Sequence, residues 1–220
     1  MIKACIFDLD GVIVDTAKYH YIAWRQLANQ LGFDFTKAYN EKLKGISRMD
    51  SLNLILSWGG IEKSEEEKLA LATEKNEVYR SYILQMDKSE ILPGVLPFLE
   101  ELRAQGIKMA IGSASKNAPT IIQQLDLAEY FPVIIDGSKV SRSKPDPEVF
   151  LKAAADLEVD PGESIVFEDA EAGIEAAISG GFYPVGVGDA EVLDRAAVVI
   201  KGFVGLQLED LSHTLLASAK

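Results

Sequence analysis

The chain has 220 residues, 48% of them hydrophobic, enough to pack one large domain or one domain carrying an insertion. Its 22 basic and 34 acidic side chains give a formal charge of −12 with no basic stripe, which argues against nucleic acid and anionic membrane surfaces as partners. A single cysteine excludes an internal disulfide, no basic segment leads into an apolar signal region, and no apolar run approaches the ~18 residues of a membrane helix, so a soluble protein of the cytoplasm is expected.

The first apolar run, residues 4–7, reads as a buried strand in which the Cys5 thiol is inert core. Three helical patterns follow between residues 16 and 90 with no convincing strand among them. The first carries Trp24, Leu27, Ala28 and Leu31 at helical spacing, with Asp15 or Thr16 to cap its start and Gly32 to stop it. The second begins at "SRMD", residues 47–50, a capping pattern ahead of Leu52, Ile55 and Leu56, and ends at Gly59 and Gly60. The third begins at "SEEE", residues 64–67, where acids suit the positive end of a helix. Pro93 and Gly94 then mark a loop. Beyond it, strand-like runs at 109–111, 133–135, 164–167, 183–187 and 197–200 alternate with helical patterns such as 95–105, 120–127 and 148–157. The expected fold is α/β: a Rossmann-like, doubly wound parallel sheet formed by residues 1–15 and 91–220, with a helical cap inserted at 16–90.

Ligands of such sheets bind beyond the carboxyl ends of the strands. Asp8 and Asp10 follow the first strand, and Glu168 and Asp169 follow the run at 164–167, so four carboxylates meet at one edge. Like charges at short range call for protonation or a cation, and an all-oxygen set suits Mg²⁺. After 109–111, "GSASKN" offers the Ser113 hydroxyl, close backbone approach at Gly112 and the amides of a helix starting near Asn117. After 133–135, "SKPDP" brings Lys144, held extended by the proline that follows. Each residue alone has a bland reading as turn, cap or surface charge. Four chemical signals at four strand ends point instead to one joint functional site.

The segments "DLDGV", "GSAS", "SKPDP" and "FEDAEAG" resemble, in order, the four motifs of the haloacid dehalogenase superfamily, over residues 1 to about 190. The resemblance implies that Asp8 is the nucleophile that forms an aspartyl-phosphate and that Asp10 is the general acid/base. It also implies that Asp8, the Asp10 backbone carbonyl, Glu168 and Asp169 surround Mg²⁺, with Ser113 and Lys144 on the transferring phosphoryl group. The second acid, Asp10, speaks against carbon–halogen cleavage, and Ala170 stands where many relatives carry Ser.

Within the insertion, "YHYIAW" and "LKGISRMDS" resemble the β-phosphoglucomutase group of that superfamily. That likeness implies His20 and Trp24 on the cap side of the site, Gly45, Arg48 and Ser51 on a distal phosphate, and Lys75 as a further contact. Lys116 and Asn117 would grip a phosphate from the core side, and Thr16, Ala114 and Ser115 would complete the substrate-binding set. Taken alone, His20 reads as a structural histidine and Trp24 as core. Arg48 at a helix start opposes the helix dipole, which favours an external anion. The implied reaction interconverts β-D-glucose 1-phosphate and glucose 6-phosphate, with β-glucose 1,6-bisphosphate as intermediate and activator, in a monomer whose partner is a small sugar phosphate. The alternatives are a Mg²⁺-dependent sugar-phosphate phosphatase and a phospho-accepting signalling switch. The insertion and the Asp8-x-Asp10 spacing count against the switch.

Overall fold

The computed structural model describes residues 1–218; Ala219 and Lys220, the end of the expected core segment, lie outside the described residues. Six strands, β1 (Ala4–Phe7), β2 (Lys108–Gly112), β3 (Val133–Ile135), β4 (Ser164–Glu168), β5 (Tyr183–Val187) and β6 (Val198–Ile200), form one sheet in the order β3-β2-β1-β4-β5-β6. Every neighbouring pair is parallel, so the α/β expectation holds. The central strand β1 is apolar throughout because both its faces are covered. Cys5 and Phe7 point to one side, into a cluster with Phe98, Phe167 and Phe203, while Ala4 and Ile6 point to the other, against Phe150 and Ala153. The register sets Phe7 opposite Phe167, and their rings stack 4.8 Å apart and 6° from parallel. Cys5 is fully buried, and burial pushes its thiol well above the usual range, as inert core requires.

Strand order reverses its direction of growth between β1 and β4, which opens a crevice at the carboxyl ends of these two strands. Asp8 stands there, one residue past β1, its amide donating to the Phe167 carbonyl at 2.9 Å. Glu168 is the last residue of β4 rather than the first beyond it.

The segment after β1 contains four helices, α1 (Ala17–Gln30), α2 (Lys37–Glu41), α3 (Arg48–Trp58) and α4 (Glu65–Ile83), one more than the sequence pattern suggested. The added α2 is five residues long, too short to display a period, and is started by Thr36, whose side chain accepts from the Tyr39 amide. The cap of α3 is as read, Ser47 accepting from the Asp50 amide, and at the start of α4 Ser64 with Glu67 forms a reciprocal capping box that the acids of "SEEE" did not by themselves announce. Trp24, Leu27, Phe35, Leu52 and Ile55 give this segment a hydrophobic cluster of its own. Ala23, Tyr79 and Ile83, near its two ends, join the main cluster beneath the sheet. Its entry and exit are pinned together, because Glu90 accepts from Lys18 Nζ at 2.5 Å and from Tyr19 Oη at 2.6 Å.

The remaining helices are α5 (Val95–Ala104), α6 (Ala118–Gln124), α7 (Glu148–Asp156), α8 (Glu171–Ser179) and α9 (Leu208–Ser218). The expected helix at 120–127 is displaced: α6 begins at Ala118, helped by Pro119 in its first turn, and ends at Gln124, ahead of Asp126 at φ 55°. No described helix is long and apolar enough to cross a membrane.

Candidate active site

A cavity of about 340 Å³ lies between the carboxyl ends of β1, β2 and β4 and the helical segment, a size that suits a small molecule. At its floor Lys144 is buried with its Nζ 2.5 Å from Asp8 Oδ1 and 2.8 Å from Glu168 Oε2. Burial alone would lower this ammonium; Asp8 and Glu168 outweigh it and hold the group well above its usual range. The neighbouring acids are raised as well, which for them disfavours the charged form. Burial, then the Asp8 charge, pushes Asp10 up to about 7. Burial raises Glu168 against the opposing charge of Lys144, and burial with Asp8 raises Asp169 against the opposing charge of Lys44.

Asp8, Glu168 and Asp169 each offer one carboxylate oxygen, and these oxygens lie within 4.8 Å of one another. The donors are hard oxygens, and burial together with their mutual charge raises two of the three acids, so the site fits a divalent cation such as Mg²⁺. Two glycines leave room for these carboxylates. A Cβ on Gly11, which sits at φ +82°, would fall 2.2 Å from Asp169 Oδ2, and one on Gly173 in α8 would fall 2.0 Å from Glu168 Cδ. Gly173→Ala is therefore expected to fold but to bind Mg²⁺ about 10- to 100-fold more weakly, measured by titration calorimetry. Unchanged affinity would remove Glu168 from the ligand set.

The general-acid candidate Asp10 is held from behind: Thr16 donates its hydroxyl to Asp10 Oδ1. This decides between Asp15 and Thr16 at the start of α1 and corrects one expectation. Thr16 has the N-cap position of α1 without capping it, since Asp15 Oδ1 accepts the Ala17 amide at 3.0 Å, and Thr16 is fully buried behind Asp10 rather than facing a ligand.

Beyond β2, the Ser113 hydroxyl accepts from the Ser115 amide at 3.1 Å, and the Ser115 hydroxyl from the Asn117 amide at 3.2 Å. With Pro119 next, the seven-residue α6 does not present the row of free amides that the sequence suggested. Gly112 serves packing: a Cβ there would press on Phe150 at 2.8 Å.

On the helical side, Lys75 Nζ lies 2.9 Å from His20 Nδ1 and 4.2 Å from the centroid of the Trp24 ring. Burial, then the charges of Lys75 and Arg48, depresses His20 well below its usual range, and burial, then the Arg48 charge, depresses Lys75 in the same way. Trp24 belongs to the helical core and lends only part of its surface to the cavity. Gly45, Arg48 and Ser51 line the same cavity as Ala114, Ser115, Lys116 and Asn117. Among the described residues neither Arg48 nor Lys116 has an ion-pair partner. Two cations are thus left for an incoming anion.

Three residues that the sequence reading passed over cross the cavity. Lys44 reaches Asp169 at 3.4 Å. Asn76 accepts from Asn117 Nδ2 at 3.0 Å, and Arg80 Nη1 donates to Asn117 Oδ1 at 3.4 Å. Lys44 adjoins Gly45 in a quoted motif, and Asn76 and Arg80 are one turn apart on α4, a relation visible only once the helix and its facing loop are known.

A carboxylate nucleophile candidate beside a buried lysine, a second acid two residues on, and an acidic pair at the neighbouring strand end define a class of phosphoryl-transfer enzyme. The chain belongs to the haloacid dehalogenase-like hydrolase family, whose model matches residues 2–181. More particularly, it is similar to the β-phosphoglucomutase of Bacillus subtilis (strain 168), 43% identical over 209 residues that cover 94% of this chain and 92% of the relative. It also matches the crystal structure of a β-phosphoglucomutase from Clostridium difficile with a TM-score of 0.95 and 44% identity, over 99% of this chain and 98% of the other. A phosphorylated carbohydrates phosphatase of Thermotoga maritima is 32% identical over 182 residues, 81% of this chain and 82% of the relative. The family is in general Mg²⁺-dependent, in keeping with the acidic cluster.

Proposed function

We propose that the protein interconverts β-D-glucose 1-phosphate and glucose 6-phosphate. The observation that carries this reading is a cleft with two sets of charged groups: Asp8, Asp10 and Lys144, and the cations Arg48 and Lys116 elsewhere on its lining, which have no ion-pair partner among the described residues. A phosphatase needs one phosphate site; a mutase must hold a sugar phosphate in either of two orientations and therefore needs a second. The likeness to two β-phosphoglucomutases supports the same reading.

The Asp8 carboxylate would carry the phosphoryl group as an aspartyl-phosphate. The C6 hydroxyl of β-glucose 1-phosphate loses its proton to Asp10 and attacks that phosphorus, the bond to Asp8 breaks, and β-glucose 1,6-bisphosphate forms. After the sugar turns over, Asp8 attacks the phosphorus on C1, Asp10 returns the proton to the departing C1 oxygen, and glucose 6-phosphate leaves with Asp8 phosphorylated again. An unphosphorylated enzyme would need the bisphosphate as activator. Lys144 offsets the repulsion between carboxylate and phosphate, and Ser113 faces the same group. When held by Asp8, Glu168, Asp169 and the Asp10 carbonyl, Mg²⁺ would supply further positive charge at the phosphoryl oxygens. Residues 16–90 would act as a cap over the core of residues 1–15 and 91–220, and the bonds from Asn76, Arg80 and Lys44 across the cleft are suited to keep water out. The reading implies a small sugar phosphate as partner and a monomer in the cytoplasm.

³¹P NMR of the protein with Mg²⁺, β-glucose 1-phosphate and a trace of the bisphosphate tests it. Glucose 6-phosphate with little free phosphate is expected. Free phosphate as the main product would favour the sugar-phosphate phosphatase reading, which the Thermotoga maritima relative keeps in view. In the same assay Arg48→Ala should lose isomerisation about 100-fold while Asp8 is still phosphorylated, as loss of a charged hydrogen-bonding partner predicts. Full activity would sink the proposed phosphate grip.

A further inference from the structure

The stretch between β3 and α7 contains no strand or helix, yet it presents Lys144, whose Nζ stands between Asp8 and Glu168. A loose loop would spread that ammonium over several positions, because each untied residue adds conformational freedom. The tie is Glu148, the first residue of α7. Its Oε2 accepts from the Ser141 hydroxyl at 2.8 Å, the Arg142 amide at 2.9 Å and the Ser141 amide at 3.0 Å. An acid in the first turn of a helix commonly faces solvent, where the helix dipole suits it. Glu148 instead turns back on three donors six and seven residues earlier and closes residues 141–148 into a ring. Within the ring the Asp146 amide donates to the Ser143 carbonyl and the Glu148 amide to Asp146 Oδ1, both at 3.0 Å. The other oxygen, Oε1, receives Lys152 Nζ at 2.6 Å and the Ser141 amide at 3.1 Å. The same helix supports the ammonium directly, since the buried Phe150 ring lies with its centroid 4.7 Å from Lys144 Nζ. Loop and ammonium are thus both referred to α7, with Glu148 itself outside the cleft lining.

We propose that Glu148 is a positioning residue for Lys144: by closing residues 141–148 into a ring it fixes where the ammonium stands between Asp8 and Glu168. The proposal rests on the functional reading above only through the role of Lys144 beside the transferring phosphoryl group, which a phosphatase would share.

Glu148→Ala tests it in the presence of Mg²⁺. The expected result is a kcat for β-glucose 1-phosphate lowered about tenfold with KM within about twofold, as displacement of a group that acts on the reacting centre predicts. Glu148→Gln keeps one oxygen for the loop donors and turns its amide nitrogen towards Lys152, so it should regain a rate within about threefold of the parent. Lys152→Met removes the ion pair on the same carboxylate but none of the loop bonds, and kcat should stay within about twofold. On a Lys144→Met background Glu148→Ala should lower kcat no further, because the residue through which it acts is gone. An unchanged kcat in Glu148→Ala, an equal loss in Lys152→Met, a Glu148→Gln as slow as Glu148→Ala, or a full tenfold loss on top of Lys144→Met would each overturn the proposal. Phosphorylation of Asp8 by acetyl phosphate, with release of acetate, is followed in parallel, since it uses Lys144 in a mutase and a phosphatase alike. Should the parent protein fail to isomerise the sugar, the mutase reading falls and this rate alone decides Glu148: equal rates in parent and Glu148→Ala overturn its role. Should Glu148→Ala fail to fold, Ser141→Ala, which removes only the bond at 2.8 Å, takes its place. A phosphorylation rate about threefold down is then expected, and an unchanged rate overturns the proposal.

Discussion

Asp8→Asn protein is expected to form no aspartyl-phosphate and to lose turnover by about 10⁴-fold or more, the scale on which removal of a covalent nucleophile acts. The side chain keeps its shape, so the result isolates the carboxylate oxygen. A second, opposite effect follows from the electrostatics. The Asp8 charge contributes to holding Asp10, Glu168 and Asp169 above the ordinary carboxylate range. Taking that charge away relieves three repulsions and leaves Lys144 its bond to Glu168 at 2.8 Å. Metal-free Asp8→Asn protein should therefore melt no lower than the parent in a thermal scan with EDTA, while its Mg²⁺ affinity falls. Intact-protein mass spectrometry after incubation with acetyl phosphate checks the chemistry. A phosphorylated Asp8→Asn protein would move the nucleophile elsewhere, and a clearly lower metal-free Tm would mean that Lys144 depends on Asp8 more than the acids suffer from it.

The sequence makes the sheet legible because its strands are short apolar runs, two of which lead directly into paired acids. Ala4–Phe7 ends at Asp8, and the run at 164–167 ends at Glu168 and Asp169. A parallel sheet buried on both faces leaves strands no freedom to hide that pattern. What stays illegible depends on partners far away in the chain. Thr16 reads equally as a cap or a ligand contact, and only the fold brings Asp10 against it. Asn76 and Arg80 look like two polar residues on a solvated helix until Asn117 faces them. Gly173 resembles any helical glycine, yet its missing Cβ is the space that Glu168 occupies. The orphan hydroxyl of Tyr79 has no signature in sequence, because the signal is the absence of a partner among the described residues. Local pattern thus fixes which residues bear chemistry, and long-range packing decides which of them are held, aimed or freed.

Lys144→Met gives the other large effect, on stability and on rate together. The ammonium lies between Asp8 and Glu168, and each of these acids is buried. Replacing an entire buried ion cluster by apolar groups can be nearly neutral, but removing one member leaves the others without compensation and costs about 3–5 kcal/mol. In the metal-free protein two carboxylates would then face each other across the vacated position with Asp169 close by. The expected result is a large fall in Tm in EDTA, a substantial part of which Mg²⁺ restores, because a divalent cation at the same acids answers the same repulsion. Turnover should not follow the Tm back. In the proposed reaction Lys144 would also balance the charge of the transferring phosphoryl group, so kcat is expected to stay about 10²- to 10³-fold down even when Mg²⁺ has restored the fold. Lys144→Arg should rescue little, since a planar guanidinium does not fit a position shaped for one compact nitrogen donor to both acids. Thermal scans with and without Mg²⁺, set beside the rate of aspartyl-phosphate formation, separate the two roles. A metal-free Tm equal to the parent's would show that the acids give up their charge without penalty, and recovery of kcat in step with Tm would reduce Lys144 to a structural counter-ion.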